Sequence, residues 1–493
     1  MSLCVAVLAW AFVPGVSVAQ IGPSGPSRPT LAEGGALLAQ AVPNTQDRVR
    51  EQTQQQERAN AAAAAAAAAV KGRENAPPRE VTFEDVLKDP DNVELNFDFA
   101  RTQVAQGDLK GAVATLERML LNNPELAQVR LFYGIVLYRL DSLDEAQREL
   151  NTVLQYDMPD SLRQEIQSYL DRIAFRSKPT HYTGSLAFGF VYDSNRNSAP
   201  RSGSVLFQDI PIDLPDNQHE HSDKGFLSIG SFRFDHDLGY QEKHNVFGGV
   251  LVLRDDQLHL NEQNLQSYVL DVGGTYHAPW VDLTLNPTYT KLRLGDQSYY
   301  DAYGGRLRLD HKIDESLAVY AEYQGQFERF KAITPSPSSI DRTGARHDVR
   351  SGITWNATPT LQLNTEFDYT RKDAHRDYVA YNGYALVGNV TYLLGGGQFL
   401  LVNAQGERDN YVNPDFFVSA ARRQDTIIRV RGTYGAPLGF FAGLIDSPDA
   451  LPSYIADITF TGAVEWLDNG SNIPNDDFSN MKAQFLLTKR WDF

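Results

Sequence analysis

The residues best suited to chemistry stand together in QHEHSD, Gln218–Asp223. There His219, Glu220 and His221 could offer two imidazoles and a carboxylate to a divalent metal. They lack helical i,i+4 spacing and have no cysteine nearby, so the competing reading is a polar loop. A second stretch, WLDNGSNIPNDD, is rich in oxygen donors but not in the order of a calcium loop. The chain carries no Gly-rich Lys-Ser/Thr phosphate loop, no His-Glu-x-x-His and no Gly-x-Ser-x-Gly. Its single cysteine, Cys4, lies in the first apolar stretch, which removes disulfides, thiolate metal sites and cysteine nucleophiles from the rest. The expectation is a protein that is not an enzyme, with no catalytic residue, no metal and no cofactor. A Ser–His pair assembled only by the fold would leave no spacing and stays open.

Charge and hydropathy narrow the class further. A formal net charge of −17 disfavours a nucleic-acid partner, which needs a basic surface to displace counterions. The mean hydropathy of −0.37 is too low for a helical membrane protein, and past the start no apolar run reaches about 18 residues. It suits a transmembrane β-barrel, half of whose strand positions face a polar interior. The first 19 residues read as a signal peptide, LCVAVLAWAFV followed by Ser17-Val18-Ala19, although the positive n-region is absent. A short membrane anchor is the alternative. Residues 20–79 form a low-complexity arm rich in Ala and Gln, with nine alanines at Ala61–Ala69. It has no apolar stripe broad enough to bury, so it reads as a solvated helical or disordered segment.

From Pro90 to about Phe175 the sequence repeats. Phe99 and Tyr133, Ala112 and Ala146, and Leu116 and Leu150 are each 34 residues apart. That period marks helix–turn–helix tetratricopeptide units. Gly107 and Asp141 fall at the turn inside each unit, Ala112 and Ala146 where two helices cross, and Pro124 and Pro159 after each second helix. Gly134 and Ala100 are further close-packing positions, and Asp160–Phe175 reads as a capping helix.

From Thr180 the period becomes two. In LQLNTEFDYT, Leu361, Leu363, Thr365, Phe367 and Tyr369 share one face, with polar residues on the other. About fourteen such segments follow, starting near Thr183, Gly225, Lys243, Leu265, Val281, Tyr299, Ser316, Arg346, Thr360, Asn382, Gln398, Arg423, Ser453 and Met481. Long connections (Ser194–Lys224, Glu407–Arg422) are expected at one end and short ones (Ala278–Trp280, Ala357–Pro359) at the other. A soluble sandwich or propeller also alternates. Aromatics at strand ends (Tyr268 and Tyr276, Tyr384 and Tyr392, Trp491 and Phe493) favour membrane girdles instead. The fold class is therefore α+β and multidomain: tetratricopeptide-like helices, then an antiparallel transmembrane barrel of about 14 strands. The expected domains are 1–19, 20–79, 80–178 and 180–493. On the last segment Phe485, Leu487, Trp491 and Phe493 share a face, with Lys489 as the exception. That ending resembles the signal read by the outer-membrane barrel-assembly machinery.

The two regions meet at HYTGSLAFGFVYDSNRNSAP, a strand ending in Asx-rich residues that can hold a tight turn. It reads either as a well-made strand end or as an ordered rim or plug at a pore mouth. A short tetratricopeptide module, then YDSNRN with Ala-Pro close behind, then about fourteen strands ending in Asp-Phe, resembles the surface lipoprotein assembly modulator (Slam) family over residues 90–493. The matching positions are Tyr192, Asp193, Ser194, Asn195 and Asn197. The arm before residue 80 departs from that pattern.

The resemblance implies an outer-membrane translocon in a Gram-negative cell, with its repeats in the periplasm and lipoproteins or secreted proteins as substrates. Outer-membrane lipids, the barrel-assembly machinery and periplasmic chaperones would be further partners. Glu322, Gln324, Glu366, Arg429 and Arg431 are the candidate pore-lining residues. Their mixed charge would favour weak, multi-site contact during passage. An exopolysaccharide exporter with tetratricopeptide repeats, or a porin-like channel, is the competing reading.

Overall fold

The computed structural model describes residues 81–493, apart from 241, 315, 334–336 and 445–450. The segment expected to be a signal peptide and the whole Ala/Gln arm lie outside the described residues. The described part divides into two units, a helical one ending at Lys178 and a β unit beginning at Pro179.

The helical unit comprises α1 (Phe83–Lys88), α2 (Val93–Ala105), α3 (Leu109–Asn122), α4 (Ala127–Arg139), α5 (Leu143–Val153) and α6 (Asp160–Arg176). Side-chain caps set several starts: Asn92 accepts from the Leu95 amide at 3.0 Å, and Asp108 from the Gly111 amide at 2.9 Å. The two repeat turns are conformational equivalents. Gly107 has φ of 85° and Asp141 has φ of 64°, both left-handed. Asp141 holds that conformation while accepting from Arg176 of α6 at 2.6 Å. Ala112, Ala146, Leu116 and Leu150 are fully buried, as the period requires. At Gly134 a Cβ would lie 3.0 Å from the Leu150 side chain, so a larger residue would have to push Leu150 aside at the α4–α5 crossing. The sequence reading missed α1, a six-residue helix held by a Thr82–Asp85 capping box. Pro159 also does more than end a unit, since it stands at the N-cap of α6.

The β unit begins with β1 (Thr180–Asp193) and a small hairpin, β2 (Ser204–Phe207) and β3 (Ile210–Asp213). Then follow β4 (Asp223–Asp237), β5 (Asn245–Gln257), β6 (Leu265–His277), β7 (Asp282–Leu294), β8 (Gln297–Lys312), β9 (Leu317–Phe330) and β10 (Gly344–Asn356). The rest are β11 (Leu361–Lys372), β12 (Tyr381–Leu393), β13 (Phe399–Tyr411), β14 (Gln424–Pro437), β15 (Thr459–Ser471) and β16 (Phe478–Asp492). Apart from β2 and β3, each strand pairs antiparallel with its chain neighbours, β1 with β4, and β16 closes on β1. The result is a closed barrel of fourteen strands, which leaves no edge.

The closing register runs from Thr183 opposite Asp492 to Asp193 opposite Lys482. Outward residues are mostly apolar and exposed; inward ones are buried and largely polar, with an apolar cluster among them that includes Leu227, Ile229, Leu253, Leu292 and Phe330. On β9, Tyr323 and Phe327 face out while Glu322, Gln324, Gln326 and Glu328 face in. An exposed apolar belt closed by its own backbone ladder is a membrane-spanning barrel, not a sandwich whose apolar faces meet. The aromatics expected at strand ends do lie on this outer face.

Four expectations are corrected. The β1–β4 connection is not plain loop, because it contains the β2–β3 hairpin. Strand β13 extends to Tyr411, so Glu407 and Arg408 are strand residues paired with Ile427 and Thr426. Strand β16 begins at Phe478, not Met481. No strand starts at Ser453: Ser453–Ala456 is a helical turn (α8) seeded by Pro452, whose carbonyl accepts from the Ile455 and Ala456 amides. With α7 (Leu438–Gly443), α8 makes the β14–β15 connection long at the end where its neighbours are short. This segment explains the Lys489 exception. The Lys489 ammonium faces out on β16 and donates to the Tyr454 carbonyl at 2.9 Å and to Asp457 at 2.6 Å.

Candidate functional site

The Asx-rich end of β1 builds a densely bonded polar site at the barrel's long-loop mouth. Strand β1 delivers alternating residues, so Tyr192 faces outward and Asp193 inward. There the chain leaves the ladder and turns. The Ser194 amide donates to the Met481 carbonyl at 2.9 Å and the Ser194 hydroxyl accepts from the Met481 amide at 2.9 Å, which extends the β1–β16 closure by one residue. Asn195, 2% exposed, is the pivot. Its Oδ1 accepts from the Ala199 amide at 2.9 Å, and its Nδ2 donates to the carbonyls of Ala199 at 3.0 Å and Ser479 at 3.1 Å. The Asn195 amide reaches Asp193 and Asn480, each at 3.2 Å. One amide side chain thus ties the turn to itself and to β16.

Arg196 carries the turn toward the other side. Its guanidinium is 2% exposed, donates to Asp255 of β5 at 2.9 Å and to the Gln263 carbonyl at 2.6 Å, and lies 3.8 Å from Asp193. Lys482 of β16 lies 3.8 Å from the same Asp193 carboxylate. Two cations and two carboxylates, buried together, hold one another where any one alone would be costly. Asn197 then receives the His-rich segment: its Nδ2 donates to the His219 carbonyl at 2.7 Å and its Oδ1 accepts from the His221 amide at 2.9 Å. The Arg196 amide donates to the His221 carbonyl at 2.8 Å. His219 and His221 therefore serve the site through their backbone. Among the described residues, no three His, Cys, Asp or Glu side chains are grouped to hold a metal.

Beyond this anchor the chain runs along the rim. Asn475 of the β15–β16 connection accepts from the Leu206 amide at 2.6 Å and donates to its carbonyl at 3.2 Å, as a strand neighbour of β2 would. The hairpin tip, Gln208 and Asp209, takes two left-handed residues (φ 50° and 63°), the geometry of a tight two-residue turn. The tip is fixed to the β13–β14 connection, where its amides donate to the carbonyls of Phe417 and Val418, each at 3.0 Å. The Asp209 carboxylate accepts from the Ser419 hydroxyl and, at 3.1 Å, from the Ala420 amide. Those two bonds hold its pKa below the usual carboxylate range. The β1–β4 segment is thereby pinned at its base and its tip, spanning the rim above β16, β15 and β14.

All five candidate pore-lining residues face inward and are buried. Glu322 lies 2.8 Å from Arg350, 3.4 Å from Arg308 and 3.9 Å from Arg306. Glu366 accepts from the Tyr320 hydroxyl. Arg431 pairs with Glu465 at 3.1 Å. Gln324 donates to Gln326, and Arg429 stands on the same inward face of β14 as Arg431. The inner wall is thus laddered with both signs of charge, each buried against its neighbours. Sequence reasoning quoted Arg196 within the motif but gave it no role, and it missed Asp255, Asn475, Asn480 and Lys482. Each gains its role from a partner far off in the chain, so no local signal could flag it. Phe485, Leu487, Trp491 and Phe493 all face outward at the β16 end, and Phe493 is tied by backbone bonds to Tyr182.

Comparison with known proteins places these two units in context. A tetratricopeptide repeat model matches residues 80–130 and 104–168, and a model described as surface lipoprotein assembly modifier matches residues 182–433. A curated relative, the surface lipoprotein assembly modifier of Pasteurella multocida (strain Pm70), is 21% identical over 316 residues, covering 64% of this chain and 54% of that protein. The chain spans about half the length of that relative. Among solved structures, Pseudomonas aeruginosa OpdQ aligns at 8% identity, covering 64% of this chain and 98% of OpdQ, with a TM-score of 0.31. The anion-selective porin of Comamonas acidovorans aligns at 10% identity over 63% and 99%, with a TM-score of 0.32. The Yersinia enterocolitica type III secretion chaperone SycD, in complex with a peptide of the translocator YopD, aligns at 13% identity over 28% and 95%, with a TM-score of 0.18.

Proposed function

Because the chain belongs to the surface lipoprotein assembly modifier family, we propose that it exports proteins, lipoproteins among them, to the cell surface. The barrel sits in the outer membrane of a Gram-negative cell, with the tetratricopeptide repeats in the periplasm. In this reading the repeats receive an extended substrate, since concave helical repeat surfaces suit such ligands. The substrate then passes through or along the barrel, meeting the mixed-sign inner wall and the pinned segment at the mouth. The chain contributes no catalytic step. With no phosphate-binding loop in the sequence, the work comes from substrate folding outside the cell or from a partner. The barrel-assembly machinery would insert it, and periplasmic chaperones would deliver its cargo.

The observation that carries this reading is the family match over residues 182–433, which contains the whole Asp193–Asn197 anchor. The test is deletion of the gene followed by protease treatment of intact cells. One particular surface protein should disappear from the accessible set and return on complementation. Loss of exopolysaccharide with an unchanged surface proteome would overturn the reading.

A further inference from the structure

The outer face of the barrel concentrates its charge at one end. Following the registers around the barrel, the outward positions near the long-loop mouth include Arg254 on β5, Lys291 and Arg293 on β7, Arg329 on β9, Arg371 on β11 and Arg408 on β13. Three of these strands repeat one pattern, an outward aromatic followed by a cation two residues nearer the mouth. The cases are Tyr289 then Lys291, Phe327 then Arg329, and Tyr369 then Arg371. Three outward carboxylates, Asp256, Asp301 and Asp373, share the arc, so cations remain the majority. Several of the cations are oriented by neighbours: Arg254 by Asp256 at 2.6 Å, Arg371 by Asp373 at 2.8 Å, and Arg408 by Gln424 at 2.8 Å. At the opposite end the outward strand positions are aromatic or aliphatic. Among the described residues, Lys489 is the only outward strand Lys or Arg there, and Asp457 neutralises it.

An aromatic girdle marks the level where hydrocarbon gives way to headgroups. A cation one residue pair beyond it stands at headgroup height, with its stem along the acyl boundary. Such residues gain from anionic headgroups, and a row of them on one rim matches a membrane whose leaflets differ in charge. A symmetric zwitterionic bilayer would give no reason for the imbalance.

We infer that the arc from β5 to β13 is a binding surface for phosphate-bearing anionic lipid in the outer leaflet, gripping phosphates with Arg and Lys while the girdle covers the acyl chains. Arginine suits this role because its planar fork takes phosphate oxygens two at a time. The lipid would set the height and tilt of the barrel and stabilise strands β5–β13, opposite the closing seam.

The test uses the full-length protein in non-ionic detergent, titrated with bisphosphorylated lipid A and, separately, with the same lipid A dephosphorylated. The wild type should bind the phosphorylated form at least tenfold more tightly, and the difference should shrink as salt rises. In K291Q/R293Q/R329Q that preference should fall at least tenfold, at roughly fivefold per cation, while K489Q should bind as wild type. Folding is checked by heat-modifiable gel mobility. If the triple variant does not fold, K291Q and R329Q singly should each weaken binding about fivefold. Equal affinity for the two lipids, or wild-type binding by the folded variants, overturns the inference. So does a variant that keeps lipid A but loses its surface protein in cells, because the arc would then be a protein interface. The lipid-binding outcomes do not bear on whether the chain exports protein, which the deletion experiment decides separately.

Discussion

Replacing Asn195 by alanine should release the mouth segment while leaving the barrel intact. The substitution removes three hydrogen bonds within a fully buried turn: the Ala199 amide loses its acceptor, and the carbonyls of Ala199 and Ser479 lose their donor. A buried polar group left unpaired costs about 1–3 kcal/mol. Water can enter at the rim and satisfy part of this set, so the net loss is put at about 3 kcal/mol, roughly a hundredfold in the local opening equilibrium. Hydrogen exchange in detergent reads the effect directly. The amides of Arg196, Ser198, Gln208 and Leu214, all bonded in the native segment, should lose roughly a hundredfold in protection. Amides in the centre of β8 and β9 should not change. N195D retains an acceptor for the Ala199 amide but turns a carboxylate oxygen toward two carbonyls, so it should open the segment at least as far. Unchanged protection at those four amides would refute the anchor. A uniform loss that includes β8 and β9 would show instead that Asn195 supports the barrel as a whole.

Three further outcomes are expected of the protein. Gly134→Ala would set a Cβ 3.0 Å from Leu150, and this overpacking should destabilise the repeats by about 1–3 kcal/mol, read as lower exchange protection in α4 and α5 of the intact protein. Glu322→Gln removes the carboxylate shared by Arg306, Arg308 and Arg350; it should cost about 3–5 kcal/mol in urea unfolding and shift bilayer conductance toward anions. Asp209 has its pKa lowered on folding, so its contribution is fully present above the unfolded carboxylate value near 4 and is lost only as pH falls through the lower folded value. Protection of the Gln208 and Asp209 amides should therefore hold steady from pH 8 to 5 and fall only below about 4. D209A should lose it across the whole range.

Much of the architecture was legible one segment at a time. A change of hydrophobic period from helical to two is a local property, because each backbone conformation points its own side chains. That is why thirteen of the fourteen expected starts fall within three residues of an observed strand, and why Gly107 and Asp141 read correctly as equivalent turns. The one displaced start, Ser453, lies in an alternating stretch that Pro452 diverts into a helical turn. The short β2–β3 hairpin escaped for a related reason. Its four-residue strands carry too little pattern, and it is held largely by neighbours from other connections, Asn475 and Phe417.

The composition, the 34-residue repeat and the two-residue alternation pointed to a helical repeat unit followed by a β unit of about fourteen strands with one apolar and one polar face; that the sheet closes into a barrel with its apolar face outward was decided by the structure. They also sorted the residues of each segment onto two faces, since alternation carries that information by itself. What they could not contain is who meets whom. Asn195 bonds across 285 positions to Asn480, and Glu322 collects three arginines from strands on both sides. Those pairings exist only once the ladder has closed and set its register. The mouth anchor and the one-sided cation arc are products of closure, because a barrel brings together positions that separation along the chain keeps apart.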